Sequence, residues 1–249
     1  MNAKQKLILA LDVPTFEEAR IIVETLGDAV AVYKVGFQLF TAYGPFIVRY
    51  LQAQGKQVFL DLKFHDIPNT VASGVASAVG LSVPQHEALD AAGGKTGKFA
   101  PLLMLTVHTQ GGAEMMKAAA EAARKRAQEL GVPKPLIVGV TVLTSDAPGA
   151  NVSQLVLERA KLAQASGLDG VVSSAQEAAM LRRELGKDFV LVTPGIRPAD
   201  GDAGDQKRVE TPASAIRAGA SFLVIGRPIL KAKDPRKAAE AILAEIAAA

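Results

Sequence analysis

Charged residues near the ends of short apolar runs are the first sign of chemistry in this sequence. Asp61 and Lys63 stand two positions apart, at and just beyond the end of the run Val58–Leu62. In a β-strand that spacing points both side chains to one face, where two ions are costly unless they pair or act on a ligand. Asp12 and Lys34 lie near the ends of two earlier runs. A lone Asp–Lys pair favours a structural ion pair, whereas four such residues together favour a catalytic site.

A second group of residues fits phosphate binding. Gly195 and Arg197 follow one late apolar run, and Gly226 and Arg227 follow the next. Glycine lets backbone N–H groups come close to a ligand, and arginine offers bidentate donors. If these runs are the last two strands of a (β/α)8 barrel, the loops after them are a common place for phosphate. Two Gly–Arg pairs at both positions favour a phosphate site over two glycine turns with surface arginines.

Two other signals are weaker. His65 and His108 stand beside run ends, but no metal-ligand spacing such as His-Glu-x-x-His occurs, so we predict structural roles for both. Gly-Lys-Thr at 94–96 resembles the end of a phosphate-binding loop. The complete motif needs glycine where Leu89 stands, and a preceding strand, so we predict no phosphate role there.

The elements that must position these residues follow an alternating pattern. Short apolar runs are separated by stretches with apolar residues at helical spacing, such as Phe16–Leu26 and Ala175–Leu185. This alternation predicts a single-domain α/β (β/α)8 barrel over 1–249. A doubly wound open sheet is the alternative, but no glycine cluster follows the first run. The eight predicted strands are Leu7–Leu11, Val30–Val35, Val58–Leu62, Leu102–Val107, Leu136–Val142, Gly170–Val172, Phe189–Val192 and Phe222–Ile225.

One connection is unusual. The segment at about 80–100, between the third helix and the fourth strand, is far longer than the two to six residues typical of such connections. We expect an insertion there, with a short helix around Gln85–Ala91. It would lie at the face of the barrel away from the chemistry.

Composition narrows the function classes. The chain has 249 residues, 49% hydrophobic, and no cysteine, which excludes disulfides, a thiolate nucleophile and cysteine metal sites. A net charge of +3 does not predict nucleic-acid binding. No apolar run is long enough to span a bilayer, and the polar start Met1–Lys6 lacks a leader pattern. We therefore expect a cytoplasmic protein.

The stretch Asp61–Thr70 reads Asp-Leu-Lys-Phe-His-Asp-Ile-Pro-Asn-Thr and resembles the signature of the orotidine 5'-phosphate decarboxylase family. The likeness continues over nearly the whole chain except 80–100. The ten-residue signature is specific, whereas Asp-x-Lys-x-x-Asp alone is shared with sugar-phosphate decarboxylases and aldolase-like synthases of similar fold. Further matching segments are Leu9–Asp12, Lys34–Gly36, Val140–Ser145, Thr193–Pro198, Gly204–Arg208 and Val224–Pro228.

The resemblance implies a homodimer that decarboxylates orotidine 5'-monophosphate to uridine 5'-monophosphate in pyrimidine biosynthesis, with no cofactor and no metal. Lys63 would protonate the ring carbon that loses carbon dioxide, and Asp61 would sit against the departing carboxylate. Lys34 would orient Asp61 and contact the ribose. Asp66 and Thr70 would reach into the partner's site, so that a Lys-Asp-Lys-Asp array forms across the dimer.

The resemblance also implies the substrate contacts. A ribose hydroxyl, the pyrimidine and the phosphate would each have their own partners, and the loop at 204–208 would act as a lid. These partners are Asp12 for the ribose, Thr144 for the pyrimidine, and Gln206, Gly226, Arg227 and the supporting Arg197 for the phosphate.

Two rival functions stay open. A metal-dependent sugar-phosphate decarboxylase of the 3-keto-gulonate 6-phosphate type shares the short Asp-x-Lys-x-x-Asp pattern. A non-catalytic nucleotide-binding module is less favoured, because Asp61 and Lys63 are both present.

Overall fold

Eight parallel strands form a closed barrel in chain order, with the last strand paired to the first. The computed structural model describes residues 1–84, 99–143, 151–198 and 210–249. The predicted single-domain (β/α)8 barrel is confirmed, and the open-sheet alternative is wrong. The strands are β1 Leu7–Ala10, β2 Val32–Val35, β3 Gln57–Phe64, β4 Leu102–His108, β5 Leu136–Val140, β6 Gly170–Val172, β7 Val190–Pro194 and β8 Phe222–Ile225.

Helices cover the outside of the barrel, and several begin at a side-chain cap. Thr15 accepts a hydrogen bond from the Glu18 N–H, which satisfies a backbone donor at the start of its helix. Among the helices that the structure describes, none combines the length and the apolar composition needed to span a bilayer. The α-helices are Ala3–Lys6, Phe16–Leu26, Phe37–Tyr43, Pro45–Ala53, Pro68–Val79, Gly112–Leu130, Val152–Ala165, Ala175–Leu185, Pro212–Arg217, Arg227–Leu230 and Pro235–Ala247.

The buried side chains form two layers because strand residues alternate in direction. On β3, Phe59 belongs to the inner cluster and Leu60 to the larger cluster between strands and helices. The inner layer fills the barrel, so the space for a ligand lies at its mouth. The inner buried cluster consists of Ile8, Ala10, Val32, Phe59, Met104, Val138, Val192, Phe222 and Val224.

Four predicted strand boundaries are wrong by two residues. The second strand begins at Val32 instead of Val30. The third continues to Phe64 instead of Leu62, and the seventh to Pro194 instead of Val192. The fifth strand ends at Val140 instead of Val142. Apolar runs mark core-facing residues, whereas polar residues such as Lys63 also belong to the strand and point into the mouth of the barrel.

The helix Pro68–Val79 and a 3-10 turn at Gly80–Ser82 lead into the unusual connection, and the insertion at about 80–100 stays a prediction. The Ser82 hydroxyl accepts a hydrogen bond from the Leu102 N–H at 3.1 Å, so the two flanks of the segment meet beside β4. Several sequence predictions lie outside the described residues: the helix at 85–91, the Gly-Lys-Thr at 94–96, Thr144, Gln206 and the loop at 204–208.

Candidate active site

Four charged side chains from the first part of the barrel form one network. The Lys34 Nζ lies 2.9 Å from Asp12 Oδ1 and 3.8 Å from Asp61 Oδ2. The Lys63 Nζ lies 2.9 Å from the same Asp61 oxygen. The side chains of Lys34 and Asp61 are only 11% and 13% exposed, so solvent screens this contact weakly. The structure thus brings Asp12, Lys34, Asp61 and Lys63 together, as the sequence predicted.

The backbone of β3 is distorted where it carries this network. Leu60 pairs with Leu105 and Phe64 with Val107, so β3 advances four residues while β4 advances two. Within the bulge, Lys63 has φ of 46°. It is the only non-glycine residue with positive φ in the described part of the chain. Such a conformation costs on the order of 1–3 kcal/mol and is characteristic of functional sites.

Thr106 on β4 holds the distorted segment. It is fully buried. Its hydroxyl accepts a hydrogen bond from the Lys63 N–H at 2.7 Å and donates one to Asp61 Oδ1 at 3.0 Å. Sequence reasoning missed this residue because it considered strand ends. The available signal was a polar residue inside the apolar run Leu102–Val107.

Two further neighbours shape the network. A Cβ at Gly36 would lie 3.0 Å from Lys34 Nζ and 3.6 Å from Asp12 Oδ1, so glycine leaves room for that ion pair. The Phe37 ring lies 5.3 Å from Lys63 Nζ, within the range of a cation–π contact. Sequence reasoning assigned no role to either residue.

The network forms one wall of a cavity of about 180 Å³ at the mouth of the barrel. Lys34, Asp61 and Lys63 line one side, and largely apolar residues line the rest. A flat, partly apolar ring with a charged substituent fits such a space. The other lining residues are Phe59, Val140, Val142, Leu143, Val172, Ser173, Pro194 and Val224.

A larger cavity of about 310 Å³ lies against the helices Phe16–Leu26 and Pro45–Ala53. Its charged lining residues have local partners. Glu24 pairs with Arg20, and the guanidinium of Arg236 holds the pKa of Asp28 below its ordinary value. These pairs account for the acidic groups there, so the smaller cavity is the candidate active site.

The two Gly–Arg pairs lie after β7 and β8, as predicted. Gly195 has φ of 81°, a conformation that favours glycine. Arg197 is 6% exposed, and its Nη1 donates to the Ile196 carbonyl at 3.0 Å, so the surface-arginine alternative is wrong for it. The backbone N–H of Arg197 donates to the Glu210 carbonyl at 3.0 Å. Arg227 is exposed and begins a helix.

The two histidines contact each other. The rings of His65 and His108 stack with centroids 5.4 Å apart. His108 Nδ1 also accepts a hydrogen bond from the Gln110 N–H at 3.3 Å, which caps a 3-10 turn. Across the described ranges, no group of three or more His, Cys, Asp or Glu residues could hold a metal ion. Structural roles for both rings stay a prediction.

The second half of the signature faces solvent in the single chain. All residues of 65–70 are exposed, and Ile67 is 66% exposed. Asp66 Oδ1 accepts a hydrogen bond from the Ile67 N–H at 2.6 Å. Thr70 lies in the first turn of the helix Pro68–Val79. Asp66 and Thr70 are therefore accessible to another molecule next to the network.

Known proteins resemble this chain in sequence and in fold. An orotidine 5'-phosphate decarboxylase of Moorella thermoacetica is 47% identical, covering 99% of this chain and 94% of that protein. One of Afipia carboxidovorans is 49% identical, covering 100% and 97%. The crystal structure of orotidine 5'-phosphate decarboxylase from Lactobacillus acidophilus superposes with a TM-score of 0.76 at 36% identity, covering 96% of this chain and 98% of that one.

The match to a family model extends over residues 5–242, which include every strand of the barrel. The model describes the orotidine 5'-phosphate decarboxylase / HUMPS family. Since both this match and the curated relatives span nearly the full length, this chain belongs to that family and is an enzyme of the carboxy-lyase class.

Proposed function

We propose that this chain decarboxylates orotidine 5'-monophosphate to uridine 5'-monophosphate, a step of pyrimidine biosynthesis, with Lys63 as the proton donor. The observation that carries the proposal is the position of Asp61 between the ammonium groups of Lys34 and Lys63, on one wall of the cavity. The names of the full-length relatives supply the substrate.

The reaction breaks the bond between a pyrimidine ring carbon and its carboxylate, and the electron pair stays on the ring carbon. Lys63 can stabilise this charge and then deliver a proton from Nζ, which forms the new C–H bond. An ammonium about 4 Å from the developing carbanion contributes on the order of 4 kcal/mol at an effective dielectric near 20. Because the network is held in place before the substrate binds, this stabilisation needs little reorganisation.

The main role of Asp61 is to position the ammonium groups of Lys34 and Lys63. Its Oδ2 faces the two ammonium groups, and its Oδ1 accepts from Thr106. Both oxygens of Asp61 therefore already have donors as partners, and a divalent cation bound to Asp61 would have to displace some of them. This arrangement favours the cofactor-free and metal-free reaction over the metal-dependent sugar-phosphate decarboxylase.

Residues around the network are proposed to hold the rest of the nucleotide. Asp12 is 57% exposed beside Lys34, which leaves its second oxygen open to a ribose hydroxyl. Arg227 and the Gly226 backbone bind the phosphate, and Arg197 supports that site. Phosphate binding far from the reacting carbon can be used to align the pyrimidine against Lys63. Thr144 and Gln206, outside the described residues, stay predictions from family resemblance.

The proposal includes a homodimer in which Asp66 and Thr70 complete the partner's site. The exposure of 65–70 beside the network supports it. Protomers carrying Lys63→Ala and Asp66→Ala should each be inactive as homodimers. When the two variants are co-expressed with different affinity tags, half of the dimers should be mixed. One of the two sites in each mixed dimer should be intact, so about a quarter of all sites should be active. A purified mixed dimer as inactive as its parents would contradict shared sites.

The direct test follows the ultraviolet absorbance of orotidine 5'-monophosphate with purified protein in excess EDTA. We expect conversion to uridine 5'-monophosphate, which would establish the reaction without an accessible divalent metal. No conversion by folded dimer would overturn the proposal, and the assay would then be repeated with magnesium and a keto-acid sugar phosphate. The cytoplasm remains the compartment we predict.

A further inference from the structure

We infer that Thr106 is a positioning residue for catalysis, which sets the geometry of Asp61 and Lys63 through one hydroxyl. The inference rests on the proposed function and adds a residue outside the charged array. It comes from the contact between a buried side chain of β4 and the bulge of β3.

The hydroxyl of Thr106 works in both directions. A threonine hydroxyl has one proton to donate and lone pairs that accept. Here the proton is directed to Asp61 Oδ1 at 3.0 Å, and a lone pair accepts from the Lys63 N–H at 2.7 Å. One atom therefore fixes the carboxylate of one member of the network and the backbone of another.

The bulge explains why a side chain is needed. Register between β3 and β4 shifts between Leu60 and Phe64, so the Lys63 N–H lies where the regular ladder is interrupted. Lys63 also has φ of 46°, which a lysine does not favour. The short bond to Thr106 satisfies this N–H and stabilises the strained conformation that directs Nζ toward Asp61.

Thr106 acts behind the cavity. It is fully buried and is not among the residues that line the cavity, so it acts through Asp61 and Lys63 instead of touching the substrate. Catalytic groups must be held within about 0.5 Å of their productive positions. Loss of the hydroxyl should therefore reduce kcat more than it changes KM.

The test compares Thr106→Val, which keeps the shape and removes the hydroxyl, with Thr106→Ser, which keeps the hydroxyl. Thr109→Val is the matched control, because that buried hydroxyl donates only to the Val140 carbonyl at 2.8 Å. We expect Thr106→Val to lower kcat about 10- to 100-fold, the loss of a hydrogen bond to a charged group, with KM within about threefold. Thr106→Ser should restore most of kcat, and Thr109→Val should leave it near wild type.

A second readout does not depend on turnover. Hydrogen exchange of the Lys63 amide should be slow in the wild type and Thr106→Ser, and at least tenfold faster in Thr106→Val. Thermal unfolding checks that each variant folds, and Thr106→Ala replaces the valine variant if the latter does not.

Equal kcat values and equal amide exchange in Thr106→Val and Thr109→Val would overturn the inference while leaving the proposed function standing. A wild-type protein that does not decarboxylate orotidine 5'-monophosphate would overturn the proposed function and the catalytic role of Thr106 together. If the Lys63 amide still exchanged faster in Thr106→Val than in that inactive wild type, the structural contact of Thr106 would stand and the failure would lie in the proposed function.

Discussion

The two walls of the cavity differ in chemistry and in origin. The charged wall comes from β2 and β3, with Thr106 of β4 behind it, and its polar groups contact one another. The facing wall comes mainly from β5 to β8 and is largely apolar, with Val140, Val172 and Val224 among its residues. A preorganised charge acts more strongly when the opposite surface keeps water and other dipoles away. The barrel thus separates the charged side chains from the largely apolar ones that line the rest of the cavity.

The largest expected effect comes from the charged wall. Lys63→Ala should lower kcat about 10³-fold or more, because the proposed mechanism uses Lys63 both as the general acid and as a cation beside the carbanion. Absorbance assays measure the loss, and circular dichroism checks the fold. Lys117→Ala is the control, since Lys117 is exposed on a helix at the outer surface. Substantial residual turnover would remove Lys63 from the acid role.

Arg227 lies outside both walls, so it separates binding from chemistry. Arg227→Ala should raise KM about 10- to 100-fold, because a charge-assisted hydrogen bond to phosphate is worth roughly 1.5–3 kcal/mol. Steady-state kinetics with orotidine 5'-monophosphate measure this. The nucleoside orotidine, which lacks phosphate, should be turned over equally slowly by both proteins. An equal loss with orotidine would contradict phosphate binding by Arg227.

The apolar wall should respond more weakly. Val172→Thr keeps the shape and adds a hydroxyl, and we expect kcat/KM to fall about five- to tenfold, since a polar group without a partner would face the ring. Val172→Ala is the control, because it leaves the wall apolar. If the threonine variant were as active as the wild type, this wall would not contact the pyrimidine.

The smallest effect concerns stability. Glycine accepts the positive φ of residue 63, whereas alanine does not. Lys63→Gly should therefore be more stable than Lys63→Ala by about 1 kcal/mol, the reverse of the order inside regular elements. Urea denaturation of the two inactive variants measures the difference. A more stable alanine variant would mean that the strain at residue 63 is absent in solution.

The charged wall was accessible to sequence reasoning because its signals are local. Asp61 and Lys63 are two positions apart on a strand, and Asp12 and Lys34 end neighbouring strands, so parallel pairing brings them together. The bulge and the positive φ of Lys63 could not be predicted in this way. They depend on the register between β3 and β4, which is a contact between distant parts of the chain.

The apolar wall was missed for a different reason. Val140, Val172 and Val224 have the composition of core strands, and nothing in their sequence separates a residue that faces a ligand from one that faces another side chain. Thr106 lies inside an apolar run, two residues before the strand end. The burial of Arg197 also depends on tertiary packing. Its spacing from Gly195 predicted only that it follows the seventh strand.

A crystal structure of this chain with uridine 5'-monophosphate would test the division into two walls most directly. We predict that the ring carbon which carried the carboxylate in the substrate lies about 3–3.5 Å from Lys63 Nζ. The ring should lie against Val172 and Pro194, and the phosphate at Arg227. A pyrimidine bound away from Lys63 and Asp61, with the phosphate far from Arg227, would contradict the account.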